Sequence, residues 1–451
     1  MQPSSLVSLD FSVRPDEVHE VLARHILADG LALVYDHSKS HGVRLVDALS
    51  GKTYLDLFGF FASSPLGSNH PGLTDPDFLA KIGQIAIHNP SNSDMYTVEM
   101  AEFVETFARF AVPPALPHLF FVAGGALGVE NALKTAMDWK VRKNMAKGLP
   151  RAMGRRVVHF ENSFHGRSGY TLSLTNTADP RKYAYFAKFD WPRVSAPRVR
   201  FPLAGANLEA ALEAEARATA ELEAAFDRHG DDICAIVIEP IQGEGGDNHF
   251  RPEFHATLRR LADEREAFLI YDEVQTGFGT TGKLWAFEHY DVVPDAVAFG
   301  KKTQVCGIMV SRRVEENERN VFAESARLNS TWGGNLVDMV RCTRHMRIMH
   351  EERLVENAAV MGARLLRGLE RLRRRYPEHV LNPRGRGLFC AFDLPSAKER
   401  DELLKRVNGY GVLVLGCDVA AIRFRPPLVI NAAEVDEGLA IFDRALEEMF
   451  G

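Results

Sequence analysis

The segment Phe268–Gly282, FLIYDEVQTGFGTTG, ends an apolar run on two carboxylates, Asp272 and Glu273, and passes into a glycine-rich turn. An acidic side chain at the carboxyl end of a buried strand can hold a cationic ring nitrogen or a metal, or it can cap the next turn. Twenty-nine residues after Asp272, AVAFGKKT brings another apolar run to Gly300, Lys301 and Lys302. A lysine at the mouth of a sheet, partly desolvated, has a lowered pKa and can act as an amine nucleophile; the alternative is an ordinary surface lysine after a strand. Together, an Asp and a Lys at successive strand ends suit pyridoxal phosphate, with Asp keeping the pyridinium protonated and Lys forming the Schiff base.

The other needs of such a group can also be met. Gly124-Gly125-Ala126 follows a strand candidate at His118–Val122 and opens a helix, so its N–H groups can receive a phosphate, although Gly-Gly before a helix also makes a plain turn. Phe164-His165-Gly166-Arg167 follows a strand at Val157–Glu161. A flat ring there can stack on a cofactor and Arg167 can bind a carboxylate; a structural role is the alternative for each. No metal site is expected. Cys234, Cys306, Cys342, Cys390 and Cys417 are far apart, odd in number and form no C-x-x-C, which points to packed thiols in a reducing compartment, the cytoplasm.

These residues need a scaffold. At 451 residues the chain has room for two to four domains of ordinary size. Apolar residues make up 46% and charged ones 25%, which excludes a disordered tail or a fibre. A net charge of −6 argues against a nucleic-acid partner. The first residues, MQPSSLVSLDFSVRPDEV, lack the basic-then-apolar order of a leader, and no apolar run has the length of a membrane span. Periodicity predicts helices at Val98–Ala111, Val129–Met145, Asn207–Arg228 and Pro252–Glu266. Strands are expected at Cys234–Glu239, Phe268–Asp272 and Ala296–Phe299. This alternation predicts an α/β fold, a large domain with a mostly parallel sheet and loops after the strands that carry function. One long basic helix is expected over Met339–Arg375, followed by Gly385–Asp393, another helix and a β-rich stretch at Gly411–Pro426. We read 1–75 as an N-terminal segment of a smaller α+β domain, 76–338 as the large domain and 339–451 as the rest of the small one. Arg364, Arg367, Arg371 and Arg374 recur at helical spacing and read as a solvated face, not an RNA-binding strip.

Taken together, the segments resemble the class-III (subgroup II) aminotransferases, which are fold-type I pyridoxal-phosphate enzymes. The likeness runs from LVDALSGKTYLDLFGFFASSPLGSNHPGL to IRFRPPLVI. DEVQTGFGTTG followed by PDAVAFGKK is its most specific part, and EPIQGEGGD adds to it. Within the family, FHGRSGYTLSLTNT, KFDWPR, FGKKTQVCG and RLNSTWGGN are similar to the branch that transfers the ε-amino group of lysine. Two departures fit that branch better than the ornithine or 4-aminobutyrate branches. KTQVC stands where a Gly-rich run is usual after the lysine, and Gly124-Gly125-Ala126-Leu127 stands at the phosphate loop in place of Ser-Gly-Ser/Thr-Glu.

The resemblance implies a role for each matching residue. Lys301 would be the Schiff-base residue and proton shuttle, with Lys302 the lesser choice, and Asp272 would pair with the ring nitrogen. Gln275 would lie near the ring hydroxyl, Phe164 and Val274 on the two ring faces, and Gly125 and Ala126 at the phosphate. Ser330 and Thr331 would reach the phosphate of the other subunit, making a homodimer part of the active site. Arg167 and Arg423 would receive carboxylates of L-lysine and 2-oxoglutarate. Glu244 would neutralise Arg423 while lysine is bound and swing aside for 2-oxoglutarate; a structural salt bridge for Arg423 and a surface-loop acid for Glu244 are the alternatives. Phe61, Ala62, Phe164 and Asn329 would choose among donors. Two other functions are weighed: a different ω-aminotransferase (ornithine, 4-aminobutyrate or diamine donor), and a cofactor-binding protein without turnover.

Overall fold

The computed structural model describes residues 11–451. The first ten residues, on which part of the leader reading rests, lie outside that range. The strands are β1 (Arg44–Val46), β2 (Thr53–Asp56), β3 (His118–Val122), β4 (Arg156–Phe160), β5 (Arg193–Val194), β6 (Ile233–Ile238) and β7 (Phe268–Asp272). They continue as β8 (Ala296–Phe299), β9 (Cys306–Val310), β10 (Leu381–Arg386), β11 (Phe389–Asp393), β12 (Val412–Leu413), β13 (Leu415–Cys417) and β14 (Ala421–Phe424).

Seven strands form the large sheet in the order β3-β9-β8-β7-β6-β4-β5. All pairs are parallel except those of β9, which runs antiparallel to both β3 and β8. The sequence reading did not include β9 or the short β5. CGIMV is as short and apolar as its neighbours, but only the single 3-10 turn Lys301–Thr303 separates it from β8, too short for a parallel crossover, so the chain turns back antiparallel. Every residue of β6, β7, β8 and β9 is buried, as expected for strands covered on both faces.

The helices Gly125–Ala146, Ala206–His229 and Pro252–Glu264 return the chain between successive parallel strands. Pro252 is the first residue of its helix, where a missing N–H costs nothing. Helix Gly125–Ala146 packs Val129, Leu133, Ala136 and Trp139 on Val157, Val237, Ile270 and Ile308 of the sheet.

The expected single helix Met339–Arg375 is two helices, Leu336–Glu351 and Leu354–Arg375. Arg353, with φ of 53°, turns the chain between them. No Gly or Pro marks the break, because its cause is tertiary. Asn357 donates to the carbonyls of Leu428 (2.7 Å) and Ile430 (2.9 Å), which tie the second helix to the C-terminal segment. Of the arginines on that helix, Arg367, Arg371 and Arg374 are exposed, and Arg364 pairs with Asp436 of helix Ala432–Phe450.

Two smaller sheets complete the scaffold. β10, β11, β14 and β13 are antiparallel, and β12 from the C-terminal part runs parallel to β2 of the N-terminal part. Val412 is thus opposite Leu55. No helix among the described residues is long and apolar enough to cross a membrane.

Candidate active site

Because β3, β4, β6, β7 and β8 share one direction, their carboxyl ends lie along one edge of the sheet. The residues at and after those ends line a cavity of about 400 Å3: Ala126 after β3, Phe164 and Arg167 after β4, Glu239 and Glu244 after β6, Asp272, Val274 and Gln275 at the end of β7, and Lys301 after β8. Phe61 and Arg423 close it from the smaller sheets. A larger hollow of about 630 Å3 on the outer flank of helix Gly125–Ala146, lined by Asp138, Arg142 and Arg327 among others, includes none of these residues.

Asp272 is buried at the last position of β7. Its Oδ1 accepts from the Val274 N–H (3.0 Å), and Oδ2 lies 2.8 Å from His165 Nδ1. Burial pushes the His165 pKa down, but the charge and hydrogen bond of Asp272 more than offset this, and the imidazole is held above its ordinary range. The Nε2 of His165 is buried without a partner, which leaves Nδ1 as the atom that fixes the ring. The contacts to Val274 and His165 fix the Asp272 carboxyl group at the cavity wall, where it suits a cationic ring nitrogen. The adjacent Glu273 points away. It accepts from Thr276 (2.9 Å) and from the N–H groups of Ala286 and Phe287 (2.8 Å each), and burial raises its carboxyl to about 7.

The two lysines separate clearly. Lys301 lines the cavity with φ of 55°, and burial, joined by the charge of Arg423, lowers its pKa. A lowered amine pKa provides more of the neutral nucleophile and base. Lys302 is 1% exposed and donates to the carbonyls of Ala62 (2.9 Å) and Gln275 (3.0 Å). It thereby braces the turn Phe60-Phe61-Ala62, whose φ values of 50°, 59° and 65° are all left-handed and costly for L-residues. Phe61 reaches the cavity from that turn; Ala62, expected beside it, is buried and does not line the cavity.

Helix Gly125–Ala146 opens on Gly124, with no side chain capping its first turn. N–H groups at the start of a long helix attract an anion. Gly166, with φ of 128°, lets the loop after β4 lie against that turn, since a Cβ there would collide with Ala126.

The acidic loop after β6 meets the arginines. Glu244 Oε2 lies 2.8 Å from Nη1 of the buried Arg423, an ion pair without the alignment of a full hydrogen bond. Glu244 Oε1 also accepts from Lys182 Nζ at 2.5 Å, and Lys182 stands 6.0 Å above the Phe164 ring. Burial acts to raise the Glu244 pKa, but Arg423 and Lys182 together hold it below the ordinary range. Arg167 is exposed at the cavity rim. The amide oxygen of Gln275 accepts from Arg425 (3.1 Å), and Arg425 is paired with Asp247.

Sequence reasoning did not single out His165, Glu239 or Lys182 for the site. Glu239 accepts from the N–H groups of Phe164 and Gly243 (2.9 Å each), and burial raises its pKa to about 7. The signal available for it was its place at the carboxyl end of β6, matching that of Asp272 at the end of β7. Lys182 had no such signal, being on a short turn far from any strand end. Within the single chain, Asn329, Ser330 and Thr331 do not line the cavity. The carbonyls of Ser330 and Thr331 are bonded by the hydroxyls of Ser93 and Ser91.

The cavity fits the flat cofactor the sequence suggests. An anion stands at one side, an uncapped helix start at another, Phe164 and Val274 offer apolar walls, and Lys301 supplies a desolvated amine.

Comparisons with known proteins agree with this fit. The class-III aminotransferase family model matches residues 28–446. The L-lysine-epsilon aminotransferase of Mycobacterium tuberculosis is 56% identical over 433 residues, covering 96% of both chains. That of Amycolatopsis lactamdurans is 52% identical, covering 94% of both. A solved lysine aminotransferase from M. tuberculosis, in its internal aldimine form, superposes with a TM-score of 0.94 at 54% identity, over 97% of this chain and 100% of that one. The chain belongs to the class-III aminotransferases, pyridoxal-phosphate-dependent enzymes of the fold-type I architecture.

Proposed function

We propose that the enzyme is an L-lysine 6-transaminase, passing the ε-amino group of L-lysine to 2-oxoglutarate. The products are L-glutamate and 2-aminoadipate 6-semialdehyde, which cyclises to a piperideine carboxylate. The observation that supports this best is the double cationic grip on Glu244 beside a cavity rimmed by Arg167. One wall can present a neutral Arg423–Glu244 pair to an aminated chain, or a bare Arg423 to a second carboxylate. Two full-length relatives at 52–56% identity, each named for the lysine reaction, support the donor.

Bound pyridoxal phosphate supplies the electron sink. On this reading Gly125 and Ala126 receive its phosphate, Phe164 and Val274 flank its ring, and Gln275 lies near the ring hydroxyl. Asp272, steadied by His165, keeps the ring nitrogen protonated. Lys301 would take the proton from the ε-carbon of lysine and hand it across the transferred nitrogen to the carbon beyond, as its lowered pKa allows. Arg167 holds the α-carboxylate of lysine, so that the far amine is the one that reaches Lys301. Arg423 receives the second carboxylate of 2-oxoglutarate once Glu244 has moved off it.

We also assign Phe61 and Asn329 to the walls that choose the donor, and Ser330 and Thr331 to the partner's phosphate site in a cytoplasmic homodimer. Support for the dimer is the exposed apolar surface beside them, Met95 (70% exposed), Tyr96 (81%) and Trp332 (50%). The division of the chain near residues 75 and 338 is likewise our reading, and the β2–β12 pairing supports grouping the two ends.

The test is a product assay with L-lysine and 2-oxoglutarate, with ornithine and 4-aminobutyrate in parallel. Glutamate and the o-aminobenzaldehyde adduct of the cyclic imine are expected from lysine. Glutamate from the other donors alone would overturn the substrate, and none from any donor would favour the non-catalytic reading. Glu244→Ala is expected to slow the two half-reactions unequally, as followed by single-turnover absorbance. Equal losses would remove Glu244 from the switch.

A further inference from the structure

Resting on the switch just described, we propose that Lys182 is the receiving station for Glu244, holding its carboxylate when 2-oxoglutarate takes Arg423, and so setting how readily the enzyme accepts a dicarboxylate.

The backbone around Glu244 cannot do the moving. Arg384 donates to the carbonyls of Gly246 (2.5 Å) and Asp247 (3.0 Å), and Arg425 grips the Asp247 carboxylate with two nitrogens (2.5 and 2.8 Å). Asn248 folds back on Gln242 and Gly245 (2.9 and 2.8 Å). Gly245 lies so close to the Asn162 carbonyl that a Cβ there would overlap it. Glu244 therefore leaves Arg423 by side-chain rotation alone, and its destination must be within one side chain's reach.

A destination of that kind is present. Besides lining the catalytic cavity, Glu244 and Lys182 line a second hollow of about 370 Å3 on the other side, between the turn Pro180–Lys182 and β13. The two side chains form the partition between the hollows. An anion swung into the second hollow meets the carboxylates of Asp179, Asp401 and Asp418 on its border, so it needs a cation there to offset the like charge. Three cations border the hollow. Arg181 is taken by Asp179 (2.8 Å), and Arg400 by Asp401 (2.8 Å) and the Val419 carbonyl (2.7 Å). Lys182 already holds Glu244 at 2.5 Å, and among the described residues Glu244 is its carboxylate partner. The carboxylate can thus keep one oxygen on Lys182 while the other releases Arg423, so it is never without a cation. Lys182 acts through Glu244 and is a positioning residue.

Lys182→Met is tested as holoenzyme, with each half-reaction measured in single turnovers. Lys182 is the one cation left to Glu244 once 2-oxoglutarate takes Arg423, so its loss predicts a roughly ten- to hundredfold lower kcat/KM for 2-oxoglutarate. The L-lysine half-reaction should stay within about threefold, since Glu244 then rests on Arg423. Calorimetric binding of glutarate, an unreactive dicarboxylate, should weaken by a similar factor, and Lys182→Arg should restore both. Equal slowing of the two half-reactions, unchanged glutarate binding, or no rescue by arginine would overturn the station while leaving the lysine reading intact. That reading fails separately if the unsubstituted enzyme makes no cyclic imine from lysine. Should Lys182→Met misfold, Lys182→Gln, which keeps a hydrogen-bond donor but no charge, must show the same asymmetry.

Discussion

Lys301→Ala is expected to lower turnover by about 10⁴-fold or more, combining loss of the proton shuttle with loss of the amine nucleophile. The prediction is specific to one of two adjacent lysines. Lys301 faces the cavity with a lowered pKa, while Lys302 spends its ammonium on the carbonyls of Ala62 and Gln275. Borohydride reduction should fix the cofactor to the peptide containing residue 301 in the native enzyme, and to none in the variant. An added small amine should recover part of the rate, because it can carry the proton but is not held in place. Lys302→Met should act differently: it frees the left-handed turn at Phe60–Ala62, lowering thermal stability and raising KM before it touches the chemical step. Retained activity in Lys301→Ala together with its loss in Lys302→Met would reverse the assignment.

Asp272→Ala is expected to cost roughly 10²–10³-fold in kcat/KM, the range for removing one member of a buried charged pair. Two effects add. The ring nitrogen loses the anion that keeps it protonated, and His165 loses the partner that holds its pKa up, so burial returns the imidazole to the neutral form. His165→Asn should cost less, since Asp272 keeps its bond from the Val274 N–H and its place in the cavity. The comparison is made by kcat/KM and by the pH dependence of cofactor absorbance. If the two variants lose the same factor, Asp272 serves chiefly to hold His165 and the ring nitrogen has another partner.

Much of this was legible before any fold was known. FLIY and AVAF are short, apolar and followed within two positions by charged residues, so their strand character and the place of the chemistry at their ends were readable from local pattern. The same holds for Pro252 opening its helix. The choice between Lys301 and Lys302 was not readable from residue types alone. It depends on a left-handed turn more than two hundred residues earlier whose carbonyl Lys302 binds. The break at Arg353 was hidden for a similar reason, since Asn357 is drawn to carbonyls beyond residue 427 and no local residue marks the turn.

The site therefore divides by the range of its interactions. Residues at the ends of β7 and β8 depend on period and hydrophobicity within a few positions, and they carried the cofactor assignment from the amino-acid order alone. The anchoring of Asp272 by His165, the sharing of Glu244 between Lys182 and Arg423, and the bracing of Phe61 by Lys302 join segments 62 to 240 residues apart. Those contacts arise only when parallel strands align their carboxyl ends and the antiparallel sheet packs against them. Burial then turns ordinary acids, amines and imidazoles into groups whose charge depends on one specific neighbour.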